Sequence, residues 1–281
     1  MRHISTSVAV AVLAAALLLA KHRARRRRRV VGIIPARYQS VRFPGKPLVD
    51  ILGKPMVVRT YEQARRSVTL DALFVATDDE RIADACRKAG AHVLMTSSTC
   101  PNGTERCNEA VGKLEKEFDI VVNIQGDEPL MEPEVIDDIV RALQDSPDAV
   151  YSTACTPLAR EEVAMRNRVK CIVDACGYAI YFSRGLLPAN KQGVAKPFPE
   201  PFAEKPYLLH LGIQCYDRRF LAKYCKMPAT PLMLMEDLEQ LKVIENGYKI
   251  KVIMVDHCAH GVDEPEDVAS IESKMHALGC T

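Results

Sequence analysis

The sequence contains no C-x-x-C pair and no group of cysteines and histidines with the spacing of zinc ligands, although it has 10 cysteines. A structural zinc site of the finger or ribbon type is therefore excluded. Most of the cysteines lie inside apolar stretches, as Cys171 does in the run KCIV. This placement indicates free, buried thiols in a reducing compartment rather than a disulfide framework.

The phosphate-binding patterns G-x-G-x-x-G and G-x-x-x-x-G-K-[ST] are also missing, so a dinucleotide-binding Rossmann domain and a P-loop lose their main support. The chain has 281 residues, of which 48% are hydrophobic and 26% are charged. These values exclude wholesale disorder and allow one large α/β domain or two small ones. No internal repeat is present.

Residues 1–29 contain no acidic side chain and eight basic ones. Within them, residues 8–20 form an unbroken apolar run, somewhat shorter than the roughly 20 residues that span a bilayer. Most of the positive charge follows this run, which favours an uncleaved membrane anchor through residues 4–20 over a secretory signal. An acid-free, arginine-rich leader is also compatible with mitochondrial delivery, and a removable targeting peptide stays open as the alternative.

We therefore divide the chain into a leader, residues 1–29, and a catalytic body, residues 30–281. The body has 30 Lys and Arg against 36 Asp and Glu, because eight of the 38 basic residues lie in the leader. A net negative body is a poor nucleic-acid binder, since neutralising phosphates needs clustered positive charge. A chain that begins near Val30 is expected to be soluble and fully active, because the sequence motifs described below and the alternation of strands and helices begin there.

From residue 30 onwards, short apolar runs alternate with helical patterns. The pattern predicts strands over 30–34, 72–76, 92–95 and 120–124, and helices over 56–67, 80–90, 104–118 and 133–144. This alternation predicts βαβ units and a mainly parallel sheet flanked by helices. After residue 149 the rhythm changes: strands are predicted over 150–154, 169–173, 178–182, 208–216 and 249–255, and helices over 220–226, 236–246 and 265–277.

The strongest motif is the loop after the first strand, which reads IPARYQSVRFPGKPL over 34–48. It places Arg37, Arg42 and Lys46 at the carboxyl end of a strand, where open α/β sheets bind ligands. The planar forks of arginine and the point charge of lysine suit the oxygens of a triphosphate. A solvated basic turn is the alternative, but proline and glycine constrain the loop around these charges.

Two carboxylates follow predicted strands: Asp127 in NIQGDEP and Asp263 in HGVDEP. Mg²⁺ usually takes one or two carboxylates together with substrate phosphates. Each aspartate alone is compatible with a helix cap, but two from distant parts of the chain fit one Mg²⁺ site better. The segment PNGTER over 101–106 is a weaker signal, which predicts a helix start with Thr104 as the N-cap.

Taken in order, IPARYQSVRFPGKPL, NGTER, NIQGDEP, GYAIYFSR, LLHLGIQCYD, PLMLMEDLEQLKV and GVDEPEDV closely resemble the CMP-Kdo synthetase family (3-deoxy-manno-octulosonate cytidylyltransferases). The resemblance runs from about residue 30 to residue 273, and the leader looks like the extension of a plant form. It implies an α/β nucleotidyltransferase fold of the GT-A-like type with a smaller dimerisation element, hence a homodimer. It also implies that CTP and the sugar acid Kdo are joined to give CMP-Kdo and pyrophosphate, which activates Kdo for cell-surface polysaccharide.

The resemblance also assigns roles to particular residues. It implies that Arg37, Arg42 and Lys46 hold the CTP phosphates, and that Ala36 and Ser40 lie on the same loop against the nucleotide. It places Gly103, Thr104, Arg106 and Gln125 around the cytosine and ribose, and Mg²⁺ on Asp127 and Asp263. It assigns Arg37, Lys46, Asp127 and Asp263 to catalysis. The sugar-acid pocket is implied to contain Arg184, His210, Gln214, Glu239 and Gln240, although bacterial members have tyrosine where this chain has Gln214.

Two alternatives stay open at this point. A CMP-sialate synthetase would use the same loop with a different sugar pocket. A membrane-tethered scaffold that has lost activity is the other, but the joint presence of Arg37, Lys46, Asp127 and Asp263 argues against such decay.

Overall fold

The computed structural model describes residues 27–39, 43–202, 206–257 and 261–279. The predicted anchor at 4–20, the loop residues Ser40 and Arg42, and two of the cysteines lie outside these ranges. Within the described ranges no helix has both the length and the apolar character needed to cross a bilayer.

A nine-stranded sheet forms the centre of the described structure, in the order β11-β7-β10-β6-β1-β4-β5, with β8 and β9 continuing from β10. The strands are β1 (Val30–Ala36), β4 (Ala72–Thr77), β5 (Val93–Met95), β6 (Ile120–Asn123), β7 (Ala149–Leu158), β8 (Lys170–Val173), β9 (Ala179–Ser183), β10 (Tyr207–Asp217) and β11 (Lys249–Met254). A separate two-stranded sheet pairs β2 (Asp50–Ile51) with β3 (Lys54–Pro55). The predicted mainly parallel sheet is confirmed in the half built from β1, β4, β5 and β6.

Helices cover both faces of this sheet, as predicted. They are α1 (Met56–Ala64), α2 (Glu80–Lys88), α3 (Gly103–Gly112), α4 (Pro133–Asp145), α5 (Arg218–Tyr224), α6 (Pro231–Glu236), α7 (Glu239–Glu245) and α8 (Asp267–Ala277). Short 3-10 turns occur at Lys46–Leu48 and Arg160–Glu162. Such coverage explains why β1 is apolar along almost its whole length, since a parallel strand is buried on both sides.

Alternate residues of β1 belong to two different hydrophobic cores. Ile34 packs in the cluster that includes α1 and α4, whereas Ile33 packs in the cluster that includes α3, α5 and α7. This division follows from the two-residue period of a strand, which sends successive side chains to opposite faces. The two cores hold β1 in the middle of the sheet and thereby fix where its carboxyl end emerges.

Two helix predictions need correction. Asn102, rather than Thr104, caps α3: its side chain accepts the backbone N–H of Glu105 at 2.8 Å. The helix also ends at Gly112 rather than near residue 118. The helix predicted over 236–246 begins only at Glu239, as α7, and the preceding α6 was not predicted. Asp237, which adopts a left-handed conformation with φ of 52°, separates the two helices.

The expectation of free thiols is confirmed for the eight cysteines in the described ranges, none of which forms a disulfide there. Five of them are buried. Burial raises the pKa of Cys86 to about 11 and that of Cys215 to about 12, so these thiols stay protonated and act as small apolar side chains.

The last three arginines of the predicted leader contact the catalytic body. The Arg28 guanidinium donates to Asp217 Oδ2 at 2.6 Å, and the backbone N–H of Arg29 donates to Asp119 Oδ2 at 2.8 Å. The guanidinium of Arg29 also lies 4.7 Å above the ring of Phe118. These contacts lie at the amino ends of β1 and β6. The loop that follows β1 lies at the opposite, carboxyl ends of these strands.

A chain that begins at Val30 is therefore expected to be less stable than one that begins at Arg27. The shorter chain loses these hydrogen bonds, so its free energy of unfolding is expected to be lower by about 1–3 kcal/mol. This value allows for the partial exposure of the Arg28–Asp217 pair, which weakens its contribution. Thermal unfolding of the two chains would show this as a difference of several degrees in Tm, at roughly 2–4 °C per kcal/mol. Equal Tm values would support the boundary drawn after residue 29 instead.

Candidate active site

A cavity of about 310 Å³ opens at the carboxyl ends of β1 and β6. Of the residues that the sequence predicted for the nucleotide and the metal, its lining contains Ala36, Arg37, Lys46, Gly103, Arg106, Gln125, Asp127 and Asp263. Ser40 and Arg42 lie outside the described residues. Segments separated by more than 200 residues in the chain are thus brought together at the edge where α/β sheets bind ligands.

Lys46 stands between the two predicted metal ligands. Its Nζ atom is 2.6 Å from Asp127 Oδ2 and 3.5 Å from Asp263 Oδ1. The turn that carries Lys46 begins at Gly45, whose φ of 73° favours glycine, and a Cβ there would approach the Tyr38 ring to 3.2 Å. The position of the ammonium group thus depends on the compact loop that the proline and glycine pattern predicted.

The loops that carry the two aspartates are joined directly by their backbones. The N–H of Val262 donates to the carbonyl oxygen of Asp127 at 2.9 Å. Gly126 allows the first of these loops to lie close to β1, because a Cβ at this position would be 3.0 Å from the Pro35 carbonyl oxygen. Asp127 and Asp263 are therefore held side by side by main-chain contacts.

The pair of carboxylates fits a magnesium site that the substrate completes. Mg²⁺ prefers oxygen ligands, usually one or two carboxylates with the rest from phosphates and water. Within the described ranges no group of three or more His, Cys, Asp or Glu side chains has the geometry of a complete metal cage. Two carboxylates are within the number that Mg²⁺ usually takes from a protein when a nucleotide supplies further oxygens, so the residues present fit the predicted site.

Glu128 was missed by the sequence reasoning, although it adjoins Asp127 in the same motif. Its Oε2 atom is buried and has no hydrogen-bond partner among the described residues. Burial, together with the charges of Asp127 and Asp263, raises the pKa of Glu128 to about 8. A largely protonated Glu128 at neutral pH limits the negative charge that Lys46 has to balance.

Arg106 forms part of the cavity wall and is nearly completely buried. Its Nη1 atom donates to Thr96 Oγ1 at 2.6 Å and lies 3.5 Å from Asp78 Oδ1. A buried guanidinium held by fixed partners offers its remaining N–H groups in a defined direction. Arg37, in contrast, is exposed at the end of β1.

The predicted sugar residues lie beside this cavity, around β10 and the start of α7. His210 Nε2 is 2.9 Å from Thr153 Oγ1, and His210 Nδ1 is 3.5 Å from Gln240 Nε2. Since Thr153 donates its proton to the Ile213 carbonyl oxygen at 2.6 Å, His210 Nε2–H is the donor to Thr153 and Nδ1 accepts from Gln240. Burial lowers the pKa of His210 to about 4, so the imidazole is neutral at physiological pH.

Arg184 does not line the cavity but fastens the turn between α6 and α7. Its Nε donates to the Glu236 carbonyl oxygen at 2.8 Å, and its Nη2 donates to that of Asp237 at 3.1 Å. The fully buried Lys170 donates to the Arg184 carbonyl oxygen at 2.7 Å. Arg184 Nη1 also lies 3.5 Å from the Arg166 carbonyl oxygen, and Arg184 Nη2 is 3.6 Å from Asp237 Oδ2. A guanidinium has five N–H groups, so some remain for a carboxylate.

Comparison with known proteins now gives this arrangement a family. A family model described as cytidylyltransferase matches residues 31–250. An Arabidopsis thaliana protein named 3-deoxy-manno-octulosonate cytidylyltransferase, mitochondrial, is 62% identical over 96% of this chain and 90% of its own length. A Zea mays protein with the same enzyme name is 62% identical over 89% of this chain and 82% of its own. The chain belongs to the 3-deoxy-manno-octulosonate cytidylyltransferase family.

A solved structure agrees with this membership. The structure of CMP:2-keto-3-deoxy-manno-octonic acid synthetase complexed with CTP superposes with a TM-score of 0.81 at 34% identity, covering 89% of this chain and 99% of that one. A Leptospira borgpetersenii cytidylyltransferase at 16% identity and a TM-score of 0.60 shares the fold alone. The predicted α/β fold, with a mainly parallel sheet flanked by helices, is therefore confirmed.

In this member of the 3-deoxy-manno-octulosonate cytidylyltransferase family, Gln214 receives several hydrogen bonds on one atom. Its Oε1 lies 2.9 Å from Asn123 Nδ2, 3.0 Å from the Tyr216 hydroxyl and 3.3 Å from Thr104 Oγ1. Thr104 in turn lies 2.5 Å from Glu239 Oε2. The structure thus places Thr104, predicted to face the nucleotide, against predicted sugar residues, with a side chain that does not line the cavity.

Proposed function

We propose that this chain transfers CMP from CTP to 3-deoxy-D-manno-octulosonate (Kdo), releasing pyrophosphate. The observation that carries the proposal is Lys46 held between Asp127 and Asp263 in a cavity that the motif residues Arg37 and Arg106 also line. This arrangement combines cations for a triphosphate with carboxylates for its metal ion. Family membership and the CTP complex of a structural relative support the choice of substrates.

The reaction needs orientation and charge neutralisation more than covalent chemistry by the protein. The anomeric C2 hydroxyl of Kdo attacks the α-phosphorus of CTP, an oxygen–phosphorus bond forms, and pyrophosphate leaves. Lys46 and Arg37 bind phosphate oxygens and offset the charge that grows on the departing pyrophosphate. Asp127 and Asp263 would hold Mg²⁺, which would offset charge on the phosphates.

On the sugar side, the neutral His210 and Gln240 provide uncharged hydrogen-bonding groups for the hydroxyls of Kdo. Arg184 supplies the positive charge that a sugar carboxylate requires. Its guanidinium is held by the main-chain oxygens of Glu236 and Asp237, so its position does not depend on the nucleotide. The two substrates are therefore recognised by separate groups of residues.

Arg184→Ala is expected to raise KM for Kdo by at least about tenfold while changing KM for CTP by less than about threefold, because Arg184 binds the sugar carboxylate in the proposed function and does not line the nucleotide cavity. Steady-state kinetics with one substrate varied at a time measures both values. Arg141→Ala, which removes an arginine paired with Asp138 on α4, is the matched control. Equal increases in both KM values would show that Arg184 does not bind the sugar.

For localisation we propose delivery to mitochondria. The acid-free basic leader supports this, as does the printed name of the Arabidopsis relative. The membrane anchor stays a prediction, because residues 4–20 lie outside the described ranges.

The anchor makes a definite prediction for fractionated cells. The full chain is expected to sediment with membranes and to resist extraction by high salt, since salt screens electrostatic adsorption but does not release an inserted apolar segment. Release by salt, or a mature N-terminus beyond Ala20, would show that the leader is only a targeting peptide and not a membrane anchor.

The homodimer likewise stays a prediction. The exposed apolar side chains on α6, Leu232, Leu234 and Met235, are compatible with an interface there. The molar mass of the protein in solution tests it.

A further inference from the structure

One hydroxyl group lies between the two halves of the site. Thr104 Oγ1 is 2.5 Å from Glu239 Oε2 and 3.3 Å from Gln214 Oε1. The residue is only 1% exposed, although Gly103 beside it lines the nucleotide cavity. Thr104 therefore joins the start of α3, on the nucleotide side, to the start of α7, on the sugar side.

The Thr104 hydroxyl has two possible acceptors, Glu239 Oε2 and Gln214 Oε1. A threonine hydroxyl has one hydrogen to donate, and a carbonyl oxygen has two lone pairs to receive donors. Gln214 Oε1 already accepts from Asn123 Nδ2 and from the Tyr216 hydroxyl. The Thr104 proton therefore goes to Glu239, which is also the shorter contact.

The hydrogen bond from Thr104 compensates for the burial of the Glu239 carboxyl group. Burial raises the pKa of Glu239, and the hydrogen bond from Thr104 is the leading cause that opposes this rise. The Tyr224 hydroxyl additionally donates to the Glu239 carbonyl oxygen at 3.1 Å, which holds the first turn of α7 in place. The bond from Thr104 lies in a water-poor interior, where a hydrogen bond is stronger than at a surface.

Each end of this bond lies next to residues that contact a substrate in the proposed function. The inference rests on that function. At the Thr104 end, Gly103 and Arg106 line the nucleotide cavity. At the Glu239 end, the next residue is Gln240, whose Nε2 is 3.5 Å from His210 Nδ1. A ligand that orders one end of the bond also restricts the other end. The second ligand then loses less conformational entropy when it binds.

We propose that Thr104 is a positioning residue that couples the two substrate subsites, so that a bound nucleotide strengthens the binding of the sugar acid and a bound sugar acid strengthens that of the nucleotide. The coupling passes through the hydrogen bond from the Thr104 hydroxyl to Glu239. By thermodynamic linkage the two affinities change by the same factor.

The test measures this factor by calorimetry with Mg²⁺, Kdo, and a CTP analogue that has a methylene bridge between the α- and β-phosphorus and so releases no pyrophosphate. In the parent protein the analogue is expected to bind at least about fivefold more tightly when Kdo is saturating. In Thr104→Val, which has nearly the same volume, the factor falls to within about twofold of unity. Thr104→Ser restores it, because serine retains the donor.

Thr156→Val is the matched control, because Thr156 is also a buried threonine that donates to a carbonyl oxygen, that of His257, but it lies away from the bridge. It is expected to keep the coupling factor of the parent. Glu239→Gln provides a second route if Thr104→Val does not fold, since it replaces the carboxyl group that accepts the same bond with an amide and is expected to lower the factor.

An unchanged factor in Thr104→Val, or in Glu239→Gln where the valine variant does not fold, would overturn the proposal. So would a parent protein whose two ligands bind independently. Failure of the parent to bind the analogue both with and without Kdo would instead contradict the proposed function, so the two failures are distinguishable.

Discussion

Replacement of Asp127 or Asp263 by asparagine is expected to lower kcat by about 10³-fold. Each change removes one negative oxygen ligand from the proposed Mg²⁺ site with almost no change in volume. Loss of several kcal/mol of transition-state stabilisation corresponds to a loss of this size, since 1.36 kcal/mol is tenfold in rate. Rates at saturating CTP and Kdo, measured over a series of Mg²⁺ concentrations, show the effect.

The control for this pair is Asp138→Asn, which removes an exposed aspartate of α4 that pairs with Arg141. Its turnover is expected to match that of the parent. Thermal unfolding should show that both site variants remain folded, because removing one of two adjacent like charges lowers their repulsion. Turnover within tenfold of the parent for both site variants would refute the metal site.

Lys46→Met is expected to lower kcat by about 10²- to 10³-fold, the usual cost of removing one charged group that stabilises a transition state. Methionine fills the space of the lysine stem, but it leaves the departing pyrophosphate without the Nζ charge. It also leaves Asp127 and Asp263 without the ammonium group that lies between them in this structure. Single-turnover kinetics with preloaded CTP separates the chemical step from nucleotide binding.

The stem-matched control is Lys54→Met, which removes a lysine that pairs with Glu62 outside the cavity. Its rate is expected to stay within about twofold of the parent, as is usual for an exposed ion pair. If Lys46→Met turned over CTP as fast as this control, the loop would not stabilise pyrophosphate in the way the geometry indicates.

Local sequence patterns predicted most of the strands and helices in the parallel half of the sheet. The apolar run of β1 is buried by helices on both faces, and the proline–glycine loop presents Lys46 as the motif indicated. Such features depend on neighbouring residues, so a sequence reveals them. The position of β10 between β6 and β7, antiparallel to both, depends on contacts between distant segments, and no local pattern encodes it.

Side-chain direction was the other feature that the sequence left undetermined. Thr104 reads as a helix cap, yet Asn102 performs that role, and the freed hydroxyl binds Glu239 from more than 130 residues away. Asp237 adopts the left-handed conformation that separates α6 from α7, which aspartate tolerates better than most residues but which no glycine or proline marks in the sequence. The partner of Thr104 depends on tertiary contacts, which local preference does not encode.

Release of pyrophosphate from CTP in the presence of Kdo tests the central claim most directly. The full chain is incubated with CTP, Kdo and Mg²⁺, pyrophosphate is quantified by a coupled assay, and the sugar nucleotide is identified by its mass. The account predicts one pyrophosphate for each CMP-Kdo formed, with no release when either Kdo or Mg²⁺ is omitted. No release with Kdo present, or equally fast release with N-acetylneuraminate in its place, would contradict it.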